Sequence, residues 1–371
     1  MIKHRFSFFS RYGVYKQSTA KIDTRLNHDN DKKVWPWHLS AKKRCVIITL
    51  SGFILFLLFA HLYSEVKSTE NHVFLQEENG SKALHTNLAH CIPHGLTLAV
   101  ATLVLNQGKY LREWIEFHML VGVQYFIIFD DGSMDDTVSV IMPYIKSRTA
   151  VLIHGRESFY ECAHRDPDRI NHLQAPCQEV VFNYARSQLI GRTMWMGNFD
   201  VDEFFYTPKH SHSLLFFLKH IYKDYDRIRV IGLVFGSNNH SMPVNGPVIQ
   251  AYTRRAKIDP ALFGYYFYNE YLTGFLFGHK QLYRPERVSS CLVHDTWCWN
   301  CHTKTILPFE SDIRMNHYQY KSRKERHTKS LVNGNAVLDI DPVREAILDE
   351  EVDSDIQFLL PRLILRLKKS V

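Results

Sequence analysis

Residues Thr193–Phe204 read TMWMGNFDVDEF, an apolar run that ends in three acidic residues set between phenylalanines. The run is short, apolar and followed by polar residues, which predicts a strand over Thr193–Phe199. Asp200 and Asp202 stand two residues apart, so in extended backbone their carboxylates project to the same side. Two convergent carboxylates repel unless a cation joins them. A hard divalent ion, Mg2+ or Mn2+, suits oxygen ligands and bridges to a diphosphate. The plain alternative is a solvated acidic turn; a buried strand just before the acids favours the ligand reading.

Toward the N-terminus the same texture repeats. From Leu96 the run LTLAVATLVL is β-rich, and LREWIEFHML places Leu111, Ile115 and Met119 at helical spacing. YFIIFDDGS follows at Tyr125–Ser133, and its unbroken Phe126–Phe129 suits a strand buried on both faces of a parallel sheet. A helix near Asp135–Ile145, a strand near Ala150–Ile153, a cysteine-bracketed loop and a helix near Gln178–Leu189 continue the alternation. The fold class is therefore α/β, with a Rossmann-like first half whose ligands gather at the carboxyl edge of the sheet. At that edge Asp130 is placed to hydrogen-bond a ribose or base, while Asp131 with Gly132 reads either as a further contact or as a turn. Asn106 reads as a cap for the next helix or as another nucleotide contact. The second half, from about Thr207, is less regular: a strand at Arg227–Phe235, many aromatics between Tyr252 and Phe277, and a packed terminal helix in Asp341–Val371 that Pro361 interrupts.

Charge divides sharply by position. Residues 1–44 hold eleven Lys/Arg and three Asp/Glu, whereas the remainder has 34 basic and 35 acidic residues, a net of −1. The balanced remainder argues against nucleic acid as a partner. Cys45–Tyr63, CVIITLSGFILFLLFAHLY, has no formal charge and is long enough to cross a hydrocarbon core. With Lys42, Lys43 and Arg44 on one side and Glu65, Glu70, Glu77 and Glu78 beyond it, the span reads as an uncleaved anchor with a cytosolic N-terminus. The expected organisation is a basic tail (1–44), an anchor (45–63), a polar stem (64–95) and a lumenal domain (96–371). Six cysteines lie beyond the span, namely Cys91, Cys162, Cys177, Cys291, Cys298 and Cys301; in an oxidising compartment they predict disulfides. Cys298-Trp299-Asn300-Cys301-His302 has the spacing of a haem attachment or half a zinc site, but no further haem or zinc signal accompanies it. Sequons at Asn79 and Asn239 fall on the same side of the membrane.

Two later stretches add candidates. Asn316–Lys324 gathers cations around His317, so His317 and Lys321 are candidates for the metal shell or for phosphate, against a solvated helix start. Taken together, GKYLREWIEFHMLVGVQYFIIFDDGSMDDT, MWMGNFDVDEFFYTP, HKQLYRPERV with His294, and NHYQYKSRKERHTKSLVNGNA occur in an order that resembles glycosyltransferase family 92 over roughly Leu96–Phe358. The resemblance implies a GT-A fold, a nucleotide-sugar donor, a divalent metal, most simply Mn2+, on Asp200 and Asp202, and inversion at the anomeric carbon. It implies UDP-galactose as donor, a glycan hydroxyl as acceptor, and a single-pass type II protein of the Golgi membrane. Gln107 departs from the glutamate common after the asparagine in such sequences.

An inverting displacement also needs a carboxylate to remove the acceptor proton. Asp295, beside His294, is the leading candidate, with Glu270 and Glu310 as alternatives. Tyr265, Tyr266, Phe267, Tyr268 and Tyr271 read either as an acceptor platform or as core. The rival functions are a non-catalytic lumenal glycan-binding protein with the same fold and a metal-dependent phosphoryl transferase or hydrolase. The latter more often needs a second cluster of metal ligands, which the sequence lacks.

Overall fold

Nine strands form one mixed sheet, and its parallel half follows from the apolar runs read above. The computed structural model describes residues 88, 91–154, 174–268, 274–333 and 342–369. The anchor expected at 45–63, the basic tail, most of the stem, Asn79, Glu270 and Cys162 lie outside the described residues. Among the described residues no helix is long and apolar enough to cross a membrane.

The first half runs β1 (Leu96–Val104), α1 (Gly108–Val121), β2 (Tyr125–Asp130), α2 (Thr137–Lys146), β3 (Ala150–His154), α3 (Gln174–Leu189) and β4 (Thr193–Asn198). These four strands are parallel in the order β3-β2-β1-β4. Alternation along the strands supplies two apolar faces. Leu98, Val100, Phe126 and Ile128 pack in one core with Trp114 and Ile115 of α1 and Ile141 of α2. Ala99, Ala101, Ile127 and Phe129 pack in a second with Val181, Phe182 and Ala185 of α3. A strand buried on both faces needs both helical layers, which is why Tyr125–Asp130 is buried at every position. Gly122 ends α1 with a φ of 115°, a left-handed turn that glycine adopts at little cost.

The second half comprises β5 (Glu203–Tyr206), β6 (Arg227–Val234), β7 (Phe277–Tyr283), a separate short hairpin of β8 (Ser290–Cys291) and β9 (Thr296–Trp297), β10 (Thr303–Ile306) and β11 (Arg314–His317); all but the hairpin extend the sheet. The full order is β3-β2-β1-β4-β7-β6-β11-β5, with β10 also on β6. Strand β7 is antiparallel to both β4 and β6, so its beginning lies at the carboxyl ends of its neighbours. Three helices close the described chain: α4 (Arg323–Asn333), α5 (Pro342–Leu348) and α6 (Leu360–Lys368). Pro361 does not interrupt a helix as expected but lies in the first turn of α6, where its missing N–H costs nothing. Arg366 of α6 reaches Glu116 of α1 at 2.6 Å, fixing the terminal helix to the first.

Among the described residues the cysteines are only partly bridged. Cys298 and Cys301 form a disulfide, which removes both thiols from haem or zinc chemistry. Among the described residues Cys91 and Cys291 are free, a correction to the expectation that most of the six are bridged; Cys162 and the side chain of Cys177 lie outside the described residues.

Candidate functional site

The acidic stretch is a turn, not the extended backbone expected. The Glu203 N–H donates to the Asp200 carbonyl at 3.0 Å, and the Glu203 carboxylate accepts from the Asp200 N–H at 3.0 Å. Helix α1 holds the strand that follows: Trp114 Nε1 donates to the Glu203 carbonyl at 3.0 Å, and His118 Nε2 accepts from the Phe205 N–H at 3.3 Å. His118 is fully buried with its pKa lowered by burial to about 3, so the ring is neutral; Nδ1–H donates to the Trp114 carbonyl at 2.9 Å. From the other side Tyr318 N–H, just past β11, donates to the Asp202 carbonyl at 2.8 Å. The turn is thereby fixed between an early helix and a late strand.

Each carboxylate of the turn already faces cations. Asp200 accepts from Lys280 Nζ of β7 at 2.8 Å and from Gln178 Nε2 of α3 at 3.2 Å. Asp202 accepts from Lys329 Nζ of α4 at 2.6 Å, with His317 Nε2 at 3.5 Å. Burial is the largest single influence and raises the pKa of each aspartate, but the neighbouring donors and cations together, led by Lys280 for Asp200 and by Lys329 for Asp202, leave both lowered. Glu203 behaves in the opposite way: burial, then the neighbouring aspartates, hold it well above the ordinary range despite Lys280 at 3.6 Å. Its 1% exposed side chain serves the turn instead of solvent. Lys321 lies close by, buried, with its ammonium 4.5 Å from the Tyr110 ring centroid and a φ of 37°. Burial lowers its pKa to about 8. Lys280, Lys321 and Lys329 thus gather around the two aspartates, an arrangement that attracts an incoming anion.

The donor set suits a divalent ion in one respect. Mg2+ or Mn2+ takes one or two protein carboxylates and completes its shell with water and phosphate oxygens. Asp200 and Asp202 offer those oxygens, and the buried Nδ1 of His317 has no hydrogen-bond partner. Among the described residues, however, no three His, Cys, Asp or Glu side chains gather into a full shell. The residues fit an ion that its ligand helps to hold, not a closed protein cage.

The other expected contacts are placed as follows. Asp130 is fully buried and its carboxylate is occupied, by Ser133 N–H at 3.0 Å, Ser133 Oγ at 2.5 Å and His154 Nδ1 at 2.6 Å. It shapes the loop after β2 instead of presenting free oxygens. Asn106 is exposed and does not cap α1: its Oδ1 accepts from the Met134 N–H at 2.8 Å, and Asp135 caps the helix by accepting from Gly108 N–H at 3.0 Å. Asp131 is half-buried beside this loop, its N–H on the Val104 carbonyl at 2.9 Å. Tyr265 and Tyr268 are 66% and 84% exposed, so core packing does not account for them. The side chains of Tyr266, Phe267 and Tyr271 lie outside the described residues.

Asp295 is heavily engaged. Arg229 Nη2 donates to it at 2.5 Å, His279 Nε2 lies at 3.2 Å, and Gln281 Nε2 donates as well. The His279 hydrogen bond above all, then Arg229, holds its carboxyl far below the usual range. A cavity of about 10 Å³ joins it to Lys280, His294 and Asn198. Glu310 is elsewhere: it pairs with Lys304 of β10 at 3.2 Å, near the start of β6 and away from the acidic turn. The sequence reading missed Lys280 and Lys329 as site residues. Lys280 is a lone cation within a strand of otherwise uncharged residues, a legible signal, whereas Lys329 reads as an ordinary solvated helix position.

The sequence profile of glycosyltransferase family 92 matches residues 94–354, and the chain belongs to that family. A family 92 protein of Ricinus communis is 27% identical over 236 residues, covering 60% of this chain and 35% of that protein. One of Arabidopsis thaliana is 26% identical over 239 residues, covering 60% and 35%. The chain thus spans about a third of the length of these relatives. Among solved structures, S. aureus TarS 1-349 in complex with UDP is 11% identical with a TM-score of 0.31, over 67% of this chain and 68% of that one. Glucosyl-3-phosphoglycerate synthase from Mycobacterium tuberculosis, in complex with Mn2+, UDP and glucosyl-3-phosphoglycerate, is 13% identical with a TM-score of 0.31, over 74% and 88%. At these TM-scores neither likeness bears on the ligands of this chain.

Proposed function

We propose that this family 92 chain is an inverting glycosyltransferase of GT-A type that moves a hexose, galactose, from a UDP-sugar to a glycan hydroxyl. The observation that carries the reading is the acidic turn itself. Asp200 and Asp202 lie at the carboxyl end of β4, with Lys280 of β7, His317 of β11, Lys329 of α4 and Lys321 of the segment between the last two converging on them. A divalent cation, Mn2+ in this reading, would be held by Asp200, Asp202 and His317 and would offset the charge of the departing diphosphate. Lys321 would bind a phosphate oxygen, and Asn106, Asp130 and Asp131 would shape the nucleotide side through the loops after β1 and β2.

Asp295 is the proposed acceptor-side carboxylate, because Glu310 stands by β10. Its partners keep it ionised, so it takes the acceptor proton only as that proton becomes acidic in the transition state. Exposed Tyr265 and Tyr268 are proposed to receive the acceptor glycan. The segment 45–63 is proposed as a type II Golgi anchor, with the catalytic part lumenal.

The test is a donor screen on the purified chain, reading UDP release with and without Mn2+. Release from UDP-galactose that depends on Mn2+ and on a glycan acceptor is the expected outcome. Binding of glycan with no release from any donor favours the non-catalytic reading instead.

A further inference from the structure

The two aspartates are held by lysines of different character. Lys280 is 1% exposed, sits on a central strand, and divides its ammonium among Asp200 at 2.8 Å, the Val293 carbonyl at 3.1 Å and Glu203 at 3.6 Å. Three partners on two segments leave it nowhere to go. Lys329 is 40% exposed, rides on α4, and among the described residues has Asp202 as its hydrogen-bond partner, at 2.6 Å. A four-carbon stem with one partner and access to solvent is free to redirect its charge. Next to it Lys321, 8% exposed, makes no hydrogen bond or ion pair among the described residues, and its ammonium lies 4.5 Å from the Tyr110 ring centroid. Asp202 and Glu113 offset its charge through space only, so its N–H donors are available to a phosphate oxygen.

We propose that Lys329 is the resident counter-cation of Asp202 in the empty site, and that it transfers to a phosphate of the bound nucleoside diphosphate, beside Lys321, when a divalent cation takes the carboxylate. The proposal rests on the donor reading above and assigns a role within that site. It has a thermodynamic consequence. A divalent cation arriving alone must separate Lys329 from Asp202 and leave the ammonium without an acceptor, so it binds weakly. A diphosphate supplies the new acceptor. Cation and nucleotide therefore favour one another's binding, and by linkage the effect is reciprocal.

The experiment titrates the purified full chain with Mn2+, following the free-ion paramagnetic signal, alone and then with saturating UDP. Wild type is compared with Lys329→Met and Lys329→Gln, which remove the charge, and with Lys329→Arg, which keeps it; thermal unfolding of each variant reports the fold. The wild type is expected to bind Mn2+ more tightly with UDP present. The neutral variants are expected to bind Mn2+ alone about tenfold more tightly than wild type, the scale of one charge-assisted hydrogen bond, and to gain less from UDP. Arginine is expected to restore wild-type behaviour. A wild type that binds both ligands with no coupling between them overturns the proposal, whatever the variants do. So does a folded neutral variant whose affinity for Mn2+ alone is unchanged or weaker. A wild type that binds neither ligand overturns the donor reading itself, and this proposal falls with it.

Discussion

Asp202 is the residue on which most of the site converges, taking Lys329, His317 and the Tyr318 N–H at once. Asp202→Ala is expected to cut sugar transfer by a hundredfold or more, the order seen when electrostatic stabilisation of a reacting group is removed. The melting temperature should change little, because the lost carboxylate releases one exposed lysine. A near-normal rate of UDP release by this variant would remove Asp202 from the chemistry. Asp295 makes a separate claim. If it accepts the acceptor proton, Asp295→Asn should lower the transfer rate by about a hundredfold and leave UDP binding unchanged. Because His279 and Arg229 hold the carboxyl well below the usual range, the wild-type rate should also show no acid limb from this group above pH 4. Both outcomes are read from initial rates across pH.

At the scale of elements, α1 fixes the acidic turn through His118, which provides the acceptor for the buried Phe205 N–H. His118→Leu leaves that donor unsatisfied and should lower stability by about 1–3 kcal/mol in urea unfolding. The same helix carries Glu113, whose carboxylate accepts from the N–H groups of Val248 at 2.7 Å and Ile249 at 3.3 Å. Burial raises Glu113 from 4.5 to about 7. Between those values the folded chain retains a proton that the unfolded chain has released, so this group lowers stability as pH rises through the window. His118 has the opposite sign: its pKa falls from 6.5 to about 3, and its contribution is lost as pH drops below 6.5. The two partly cancel in the wild type. Glu113→Gln keeps an acceptor for the N–H groups and removes the first contribution. The variant should gain stability relative to wild type between pH 5 and pH 7.5, by up to about 3 kcal/mol for the full shift. A constant difference across that range would show that Glu113 does not titrate there.

For the whole molecule, the thiols provide an external check. Cys298 and Cys301 should resist alkylation until a reductant is added, while Cys91 reacts in the native state and Cys291, fully buried against Tyr283, reacts only on unfolding. Mass spectrometry of labelled peptides distinguishes the three behaviours. Labelling of Cys301 in the native, unreduced chain would contradict the bridge. Asn239, exposed in a turn with a φ of 59°, is accessible to glycosylation should the domain be lumenal, and a mass shift on its peptide from a eukaryotic host would support that orientation.

What was legible in the chain is what depends on neighbours in sequence. Apolar runs at Leu96–Val104, Tyr125–Asp130 and Thr193–Asn198 gave the parallel strands, because a strand covered on both faces has to be apolar at nearly every position. Helical spacing located α1, and the aspartates at a strand's end located the site. The ordered motifs pointed to the family that the profile match then established. Charge pairing was not legible, since it joins Lys280 to Asp200 across 80 positions and Lys329 to Asp202 across 127. Nor was the loss of Asp130's free oxygens to Ser133 and His154, or the binding of Asp295 by three donors from other strands. Hydrophobic periodicity is a local property of a chain, so its sequence determines which segments are strands and helices. The protonation and partners of a carboxylate depend on which distant segments fold against it, and only the tertiary structure decides that.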